Sequence, residues 1–318
     1  MEDGSKLVHA PVMLTEVLAA LAPHDGGIYV DGTFGRGGYS RGILEAADCQ
    51  VWGIDRDLEA VVAGQELMQS WPGKFHMLKG RFSEMIELLA QRDITQVDGI
   101  ALDLGVSSPQ LEQAERGFSF RIDGPLDMRM GDAGATAADI VNSIDEAELT
   151  RIIWEYGEER FSRRIAKAIV QARKVQPITR TVQLAEIVCS CVPAAGKIHP
   201  ATRTFQALRL YVNEELQELE AGLQASEALL AQNGRLAVVA FHSLEDRRVK
   251  TFLKEKSAKS GGGYRHLPPP QQLPEPTFKL LWARAKRPTD AEIAANPRAR
   301  SARLRAAMRI NNKIGWES

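Results

Sequence analysis

Residues 28–38 of this 318-residue chain read IYVDGTFGRGG, an apolar run that ends in Asp31 and leads into a glycine-rich turn. A second apolar run, residues 51–54, ends in Asp55. A glycine-rich turn lets the backbone approach a ligand closely, and a carboxylate that closes the next strand can accept both hydroxyls of a ribose. The pairing therefore predicts a nucleoside pocket at the ends of two strands.

Strand and helix patterns alternate on both sides of this turn. The predicted strands are residues 28–31, 51–55, 75–79 and 99–103, and the predicted helices are residues 14–21, 39–47, 58–69 and 83–91. Short apolar strands that alternate with helices are typical of a parallel sheet covered on both faces. The first hundred residues thus predict an α/β fold.

The alternation stops after the fourth strand. Residues 109–212 read as loop and then as helices rich in Arg and Ala, without a convincing strand. The pattern resumes with a helix over 213–232, a turn at 233–234 and strands over 235–241, 278–283 and 301–310. Residues 257–276, rich in Gly and Pro, read as a surface loop. We therefore expect a seven-stranded, mostly parallel, Rossmann-like sheet with an inserted all-helical domain, divided into residues 1–108, 109–212 and 213–318.

The glycine-rich turn does not fit a nicotinamide or ATP site. A Gly-x-Gly-x-x-Gly fingerprint that starts at Gly35 fails at Ser40, and no Gly-x-x-x-x-Gly-Lys-Ser/Thr motif occurs. A nucleoside with an amino-acid tail and no phosphate suits the turn better, and S-adenosylmethionine has that shape. Asp31 could hold the ammonium group and Asp55 the ribose, with turn or N-cap carboxylates as the alternative. Phe82 could cover the adenine ring, with packing against the core as its alternative.

Asp103 closes the fourth predicted strand. Ligands of open α/β sheets lie beyond the carboxyl ends of the strands, so Asp103 is expected to face the methyl-bearing sulfur. An exocyclic amine on cytosine or adenine is a poor nucleophile because its lone pair is delocalised into the ring. An acceptor for the N–H groups favours the pyramidal nitrogen and helps the proton to leave after methyl transfer. Asp103 is therefore the predicted catalytic residue.

A second polar cluster, HSLED at residues 242–246, follows the strand predicted over 235–241 and points to the same rim. A Ser–His–Asp hydrolase is disfavoured because Gly-x-Ser-x-Gly is absent and adjacent His and Ser on one turn do not easily form that relay. His242 has two interpretations, a role in the substrate pocket or helix capping.

Charge is segregated along the chain although the net charge is only −1. Residues 160–213 carry a net charge of +9 and residues 279–313 carry +8, so the rest of the chain sums to −18. Such segregation is typical of a polyanion-binding face on an otherwise acidic protein. Solvated helix faces with acidic partners elsewhere are the alternative.

Composition excludes several other classes of protein. No window approaches the ~20 apolar residues of a membrane span, and the polar N-terminus lacks an apolar signal region, which predicts a cytoplasmic protein. Three cysteines suggest no disulfide framework. Cys189 and Cys191 lack a second ligand pair at zinc spacing, so we expect buried core cysteines and no metal site.

Nine motifs in this chain resemble those of the RsmH (MraW) methyltransferases and occur in order from residue 9 to about residue 301. They are HAPVM at 9–13, DGTFGRGG at 31–38, DLGVSSPQ at 103–110, RGFSF at 116–120, GPLDMRM at 124–130, GEERF at 157–161, HPATRTFQALR at 199–209, FHSLEDR at 241–247 and NPRARS at 296–301. A chance match of so many long motifs is negligible.

The resemblance implies a class I S-adenosylmethionine-dependent methyltransferase interrupted by a helical domain. It also implies methylation of N4 of a cytidine in the decoding region of 16S ribosomal RNA. Many relatives carry His where this chain has Tyr39, so a backbone contact there would survive the change and a side-chain role is in question. The implied cofactor contacts are Gly37, Gly38, Tyr39, Asp55, Phe82, Asp103 and Gln110.

Substrate contacts are expected with 16S rRNA, within the small ribosomal subunit. The candidates on the substrate side are His199, Arg203 and His242, and Thr202 and Thr204 would add phosphate donors. A phenylalanine in the RGFSF motif, at residue 118 or 120, could stack on a flipped cytosine, with core packing as the alternative. The oligomeric state stays open, a homodimer included.

Two other functions stay open at this point. An RNA-binding ribosome-assembly factor with a vestigial cofactor site would bind RNA in a salt-dependent way without turnover. A small-molecule methyltransferase would need no basic insertion. The intact Asp55 and Asp103 argue against the first alternative, and the charge of residues 160–213 argues against the second.

Overall fold

The computed structural model describes residues 11–193, 199–257 and 275–311. The chain forms two compact units, one made of Met1–Gly105 and Glu218–Ser318 and the other of Val106–Gln217. We call the first the α/β unit and the second the helical unit. The sequence placed the two divisions after residues 108 and 212. The loop predicted at 257–276 falls almost wholly outside the described residues.

Within the described residues, the α/β unit contains a seven-stranded sheet in the order β3-β2-β1-β4-β5-β7-β6. Strands β1 to β5 are parallel to one another, whereas β7 is antiparallel to both β5 and β6. This arrangement confirms the predicted Rossmann-like, mostly parallel sheet. The strands are β1 (Ile28–Asp31), β2 (Gln50–Asp55), β3 (Phe75–Lys79), β4 (Val97–Asp103), β5 (Leu230–Ala240), β6 (Phe278–Leu280) and β7 (Arg303–Arg309).

The helices that precede residue 106 or follow residue 214 belong to the α/β unit, and the others form the helical unit. They are α1 (Leu14–Leu21), α2 (Gly38–Ala46), α3 (Leu58–Ser70), α4 (Met85–Ala90), α5 (Ser108–Glu112), α6 (Ala137–Ser143), α7 (Glu146–Gly157), α8 (Ser162–Val175), α9 (Thr181–Cys191), α10 (Thr202–Val212), α11 (Glu215–Leu229), α12 (Ser243–Ser257) and α13 (Asp290–Ala295). Helix α11 lies in the α/β unit from Glu218 onward. Among the described residues, no helix has the length and apolar character needed to cross a membrane.

The central strands are apolar at successive positions because both faces of the sheet are covered. On β4, Ile100 and Leu102 pack into one hydrophobic cluster together with Val30 of β1. Ala101 lies between them in sequence and packs into the opposite cluster with Tyr29. Strands that are buried on both faces read as continuous apolar runs, which is why β1 and β4 were visible in the sequence.

The start of β5 differs from the prediction. The helix expected to end at residue 232 ends at Leu229, and β5 begins at Leu230. Leu230 pairs with Val97 but Arg235 pairs with Gly99, so the residues between form an irregularity within the strand. Asn233 has a φ of +69°, as the predicted turn requires, but this turn lies inside β5 because the strand continues on both sides of it.

The helical unit has its own hydrophobic core, in which Ile152, Ile165 and Leu184 of three different helices are fully buried. Helix α6 begins at a capping box, in which Thr136 Oγ1 accepts from the Asp139 amide and the Asp139 carboxylate accepts from the Thr136 amide. None of the seven sheet strands comes from the described part of this unit. The unit accordingly agrees with the all-helical insertion expected in the fold class.

Candidate active site

Three carboxylates lie at the carboxyl ends of adjacent strands of the α/β unit. Asp31 ends β1, Asp55 ends β2 and Asp103 ends β4. Because β1 pairs in parallel with both of the other strands, all three acids stand at one edge of the sheet. The strand order reverses between β1 and β4, and ligands of open α/β sheets bind at such a switch point. The fold therefore brings all three predicted acids, Asp31, Asp55 and Asp103, to one edge of the sheet.

The turn after β1 is built from backbone at two glycines. Gly37 precedes α2 with a φ of +72°, a conformation that favours glycine, and a Cβ there would lie 2.6 Å from the Phe34 ring. A Cβ on Gly38 would lie 2.7 Å from Pro11. Any side chain at either position would displace a neighbour, so the packing of Phe34 and Pro11 against this turn requires glycine at both positions.

Asp55 connects the loops that follow β1 and β2. Its Oδ2 accepts a hydrogen bond of 2.8 Å from the Gly35 amide, and its Oδ1 accepts one of 2.9 Å from the Asp57 amide. Burial raises the pKa of Asp55, and these two amides oppose the rise. Asp55 therefore acts as a turn carboxylate, the alternative interpretation, because it shapes the glycine-rich turn. Each oxygen still has a further lone pair for a ribose hydroxyl.

Asp31 caps the first turn of α2. Its Oδ2 accepts from the Ser40 amide at 3.1 Å and from the Ser40 hydroxyl at 2.7 Å. Its Oδ1 is buried and has no hydrogen-bond partner in the structure. Burial raises the pKa of Asp31 from 3.8 to about 6, against the opposing effect of the Ser40 hydrogen bonds. One carboxylate oxygen thus has a structural role and the other is left for a donor.

We expect the stability of the cofactor-free protein to depend on Asp31 between pH 4 and pH 7. The folded state holds the Asp31 proton more tightly than the unfolded chain, so the free energy of unfolding falls as pH rises through about 6. The full effect is about 3 kcal/mol. Urea denaturation at several pH values should show a flatter profile for Asp31→Asn than for the natural sequence. Parallel profiles would show that Asp31 does not titrate in this range.

Asp103 lies beside this pair of acids at the end of β4. Its backbone amide donates to Thr33 Oγ1 at 2.6 Å, and its Oδ1 is buried without a hydrogen-bond partner in the structure. Burial, followed by repulsion from Asp31 and Glu245, holds the pKa of Asp103 well above its usual range, and the nearby Tyr39 hydroxyl opposes this rise. The site thus holds an acceptor oxygen that no protein donor occupies.

Tyr39 is buried at the second position of α2, with only 3% of its surface exposed. Its hydroxyl donates a hydrogen bond of 2.6 Å to the Val12 carbonyl. Burial, followed by the charges of Asp103 and Asp31, raises the pKa of Tyr39 well above its usual range, so it stays neutral. The predicted backbone contact of Tyr39 with a cofactor is not tested by this arrangement, but its side chain is committed to the protein interior.

Phe82 follows β3 in a short 3₁₀ helix, Phe82–Glu84, and its ring is half-buried. A Cβ on Gly222 of α11 would lie only 2.2 Å from this ring. The neighbouring Ser83 is held by Glu218, which accepts from its amide at 3.0 Å and from its hydroxyl at 2.9 Å. Phe82 therefore packs on α11, as its packing alternative required, and one part of the ring stays accessible.

His242 stands at the start of α12 next to Glu245, which sequence reasoning did not single out. Glu245 is 2% exposed, and its Oε2 accepts from the amides of Phe241 at 2.8 Å and His242 at 3.2 Å. Its Oε1 lies 2.9 Å from His242 Nε2. His242 Nδ1 in turn accepts from the Glu245 amide at 3.4 Å, a capping contact. An acid three residues into a helix is the capping signal that could have identified Glu245.

The remaining predicted residues belong to the helical unit. Gln110 is buried, and its Oε1 accepts from the Ser107 amide at 2.9 Å. His199 is exposed and stacks on Phe120 with a ring-centre distance of 4.5 Å. Arg203 is exposed and lies 3.8 Å from Glu159. These contacts do not test the cofactor role of Gln110 or the substrate roles of His199 and Arg203, which stay predictions.

The phenylalanines of the RGFSF motif and Thr204 pack in or against the hydrophobic core of the helical unit. Phe118 is 6% exposed within the helical core, and Phe120 also meets Phe205 edge-on at 5.0 Å. The prediction that Thr204 offers a phosphate donor is wrong, because Thr204 is fully buried on the inner face of α10. Thr202, at the start of that helix, is only partly buried.

The sequence model of the MraW methylase family matches residues 6–310. This chain belongs to that family. Proteins called ribosomal RNA small subunit methyltransferase H are among its curated relatives. The one from Paramagnetospirillum magneticum is 58% identical over 98% of this chain and 98% of its own, and the one from Rhodospirillum centenum is 60% identical over 96% and 93%. An rRNA methylase structure from Streptococcus thermophilus covers 94% of each chain, but at a TM-score of 0.41 and 9% identity it adds nothing to this assignment.

Membership of the MraW methylase family confirms the resemblance seen in the nine motifs.

Three cations of α8 in the helical unit are free of acidic partners among the described residues. Arg163, Arg164 and Lys167 are exposed, and no ion pair or hydrogen bond of their side chains is found among the described residues. Other arginines of the unit are paired, such as Arg180 with Asp123 and Arg209 with Glu215. These three cations of α8 lie within two turns of the helix, and we call them the α8 cationic face.

The second basic stretch, residues 279–313, contains cations that are paired with acids. Arg305 pairs with Asp246 at 2.7 Å, and Arg309 is 1% exposed and lies 3.5 Å from Glu227. The alternative interpretation, in which basic residues pair with acids elsewhere in the chain, therefore holds for Arg305 and Arg309.

The burial of the three cysteines agrees only in part with the prediction. Cys49 and Cys191 are buried, as predicted, but Cys189 is exposed because it lies on the outer face of α9. Its Sγ lies 3.8 Å from His199 Nε2. Among the described residues, no group of three or more His, Cys, Asp or Glu side chains is arranged to hold a metal ion.

Proposed function

We propose that this protein transfers a methyl group from S-adenosylmethionine to the exocyclic N4 amine of a cytidine in 16S ribosomal RNA. The observation that carries the proposal is the Asp103 carboxyl, which ends β4 at the switch point of the sheet with a buried oxygen that has no protein donor. The curated relatives are named as methyltransferases of the small-subunit RNA, and the family is a methylase family.

The residues present fit such a cofactor. The backbone turn at Gly37 and Gly38 provides a surface without side chains, and Asp55 has lone pairs for the ribose hydroxyls. The unpartnered Oδ1 of Asp31 suits an ammonium donor. When bound, S-adenosylmethionine supplies an electrophilic methyl group on a positively charged sulfur. Phe82 has part of its ring accessible for the adenine.

Asp103 has the properties that an amine acceptor needs. A carboxylate oxygen without a donor can accept an N–H of the target amine, and this favours the pyramidal nitrogen that attacks. After transfer the same carboxylate can take the proton that the nitrogen loses. Burial raises its pKa, and a nearby positive charge favours the carboxylate form that can act as a base.

RNA recognition is assigned to the helical unit. The α8 cationic face offers three unpaired charges to phosphates, and phosphate contacts provide much of the affinity of RNA-binding proteins. We place the substrate within the small ribosomal subunit, and the activity accordingly in the cytoplasm. Arg203 and His199 are exposed in the same unit and extend the proposed contact surface.

The proposed function is tested by locating the transferred methyl group. Small ribosomal subunits from a strain without this gene are incubated with the protein and cofactor carrying a labelled methyl group, and the RNA is digested to nucleosides. We expect the label on N4 of one cytidine, and no label when the subunits come from a strain with the gene. Label on carbon 5 of a pyrimidine, or on a protein, would refute the proposal.

A further inference from the structure

The segment between β6 and β7 lies at the same edge of the sheet as Asp103. β7 begins at Arg303, which pairs with Ala240 at the last position of β5. Lys286 pairs with Leu304 through two backbone hydrogen bonds, of 2.9 Å and 3.0 Å. Because β6 runs toward this edge and β7 runs away from it, residues 281–302 join the two strands there. We call residues 281–302 the β6–β7 connection.

One row of paired residues runs across the sheet from Asp103 to the β6–β7 connection. Asp103 pairs with Val239 of β5. Val239 pairs with Leu304 of β7, which in turn pairs with Lys286. Adjacent strands lie about 4.8 Å apart, so the Lys286 backbone lies roughly 14 Å from that of Asp103. This distance corresponds to about four nucleotides at the ~3.4 Å rise of a stacked strand. An RNA strand whose target base reaches Asp103 therefore has phosphates at the distance of the connection.

Three exposed cations of the β6–β7 connection have no acidic partner among the described residues. The connection contains five Lys/Arg, at positions 284, 286, 287, 298 and 300, and two acids, at positions 290 and 292. Arg284, Arg287 and Arg300 are exposed, and no ion pair or hydrogen bond of their side chains is found in the described part of the chain. Cations further along β7 are instead paired with acids. The unpaired charge thus lies at the edge that carries Asp103.

The backbone of the β6–β7 connection is held by contacts with the rest of the α/β unit. Glu292 Oε1 of α13 accepts from the Met13 amide at 2.6 Å. Ala299 is fully buried in a hydrophobic cluster of the sheet. Lys286 Nζ lies 4.2 Å from the centre of the Trp282 ring, a cation–π contact. Like charges on a backbone held in this way repel one another, and a bound polyanion relieves the repulsion.

We propose that Arg284, Arg287 and Arg300 bind phosphates of the RNA strand that carries the target cytidine. The inference rests on the proposed function for the identity of the substrate. It adds an RNA-binding surface in the α/β unit to the surface assigned to the helical unit. Phosphate contacts fix the register and orientation of a nucleic acid without reading its sequence. Contacts at this edge therefore position the target strand within the unit that holds Asp103.

R284Q/R287Q/R300Q removes the three charges and keeps polar side chains. We expect the affinity for 16S rRNA to fall by about tenfold at low salt. The slope of log affinity against log salt should decrease by about 2, because each phosphate contact on a single strand contributes roughly 0.7. Filter binding over a range of salt concentrations measures both quantities. An affinity and a slope equal to those of the natural protein would overturn the proposal.

R92Q/K250Q/K254Q is the matched control. Arg92, Lys250 and Lys254 are exposed cations of the same unit, and Arg92 precedes β4, at the opposite edge of the sheet from Asp103. The control changes the net charge by the same amount, and we expect it to keep the salt slope of the natural protein. An equal fall of the slope in both triple variants would overturn the proposal, because it would assign the effect to net charge.

Crosslinking of the natural protein locates the contact without any substitution. The protein is irradiated with 16S rRNA that contains thiouridine, and crosslinked peptides are identified by mass spectrometry. We expect peptides from residues 281–302 among them, and crosslinks confined to other parts of the chain would contradict the proposal. The two proposals can fail separately. A reduced slope in R284Q/R287Q/R300Q without any methylation by the natural protein would refute the proposed function only. Methylation of the cytidine by the natural protein, with an unchanged slope in the variant, would refute only the β6–β7 surface.

Discussion

Asp103→Asn is expected to lower the single-turnover rate of methyl transfer by about 10²–10⁴-fold, the usual contribution of a positioned base. Asparagine has nearly the same shape and keeps the backbone donor to Thr33 Oγ1. It cannot take a proton from the target nitrogen. Because the product S-adenosylhomocysteine has no positive charge on its sulfur, its binding should change far less. Rapid-quench methylation and calorimetry measure the two effects.

Asp98→Asn is the control for this experiment. Asp98 lies near the start of the same strand, and its Oδ2 accepts from the Ile28 amide at 2.8 Å. The substitution removes a carboxylate of β4 at the opposite edge of the sheet, so stability should fall slightly and turnover should persist. If Asp103→Asn kept the turnover rate of the natural protein, Asp103 would have no catalytic role. RNA binding by the natural protein without any turnover would instead support the assembly-factor alternative.

The second large effect concerns the α8 cationic face. We expect R163Q/R164Q/K167Q to lower the affinity for 16S rRNA by roughly tenfold to hundredfold at low salt, and to reduce the slope of log affinity against log salt by about 2. Two of the three cations lie in the first turn of α8, where the helix dipole disfavours positive charge. Their neutralisation should therefore not destabilise the helix. Filter binding over a range of salt concentrations gives both quantities.

The matched control neutralises three exposed cations of the α/β unit, as R92Q/K250Q/K254Q. It changes the net charge of the protein by the same amount, so it separates a local phosphate contact from general attraction to RNA. We expect its salt slope to stay close to that of the natural protein. Equal losses in both triple variants would assign the binding to net charge. Unchanged methylation by the α8 variant at physiological salt would favour a small-molecule substrate.

Local patterns were sufficient to predict the sheet and the turn. The runs at residues 28–31 and 99–103 are apolar because both faces of the strands are buried, and this constraint is visible in one dimension. The φ of +72° at Gly37 likewise depends on residues close in sequence, and glycine is the residue that favours it. Such local features are enough to place Asp55 and Asp103 at strand ends. The cofactor and substrate roles of the site residues stay predictions.

By itself, then, the sequence determined the order of the strands along the chain, the helical insertion, the glycine-rich turn and the family. Only the tertiary structure decided which partners each polar side chain has. Tyr39 meets Val12, and Glu218 meets Ser83. Such contacts join residues that are distant in the chain, and their geometry depends on packing that no local pattern encodes. The physical reason is that burial and hydrogen bonding are set by the whole fold, whereas strand and turn propensities are set by neighbours.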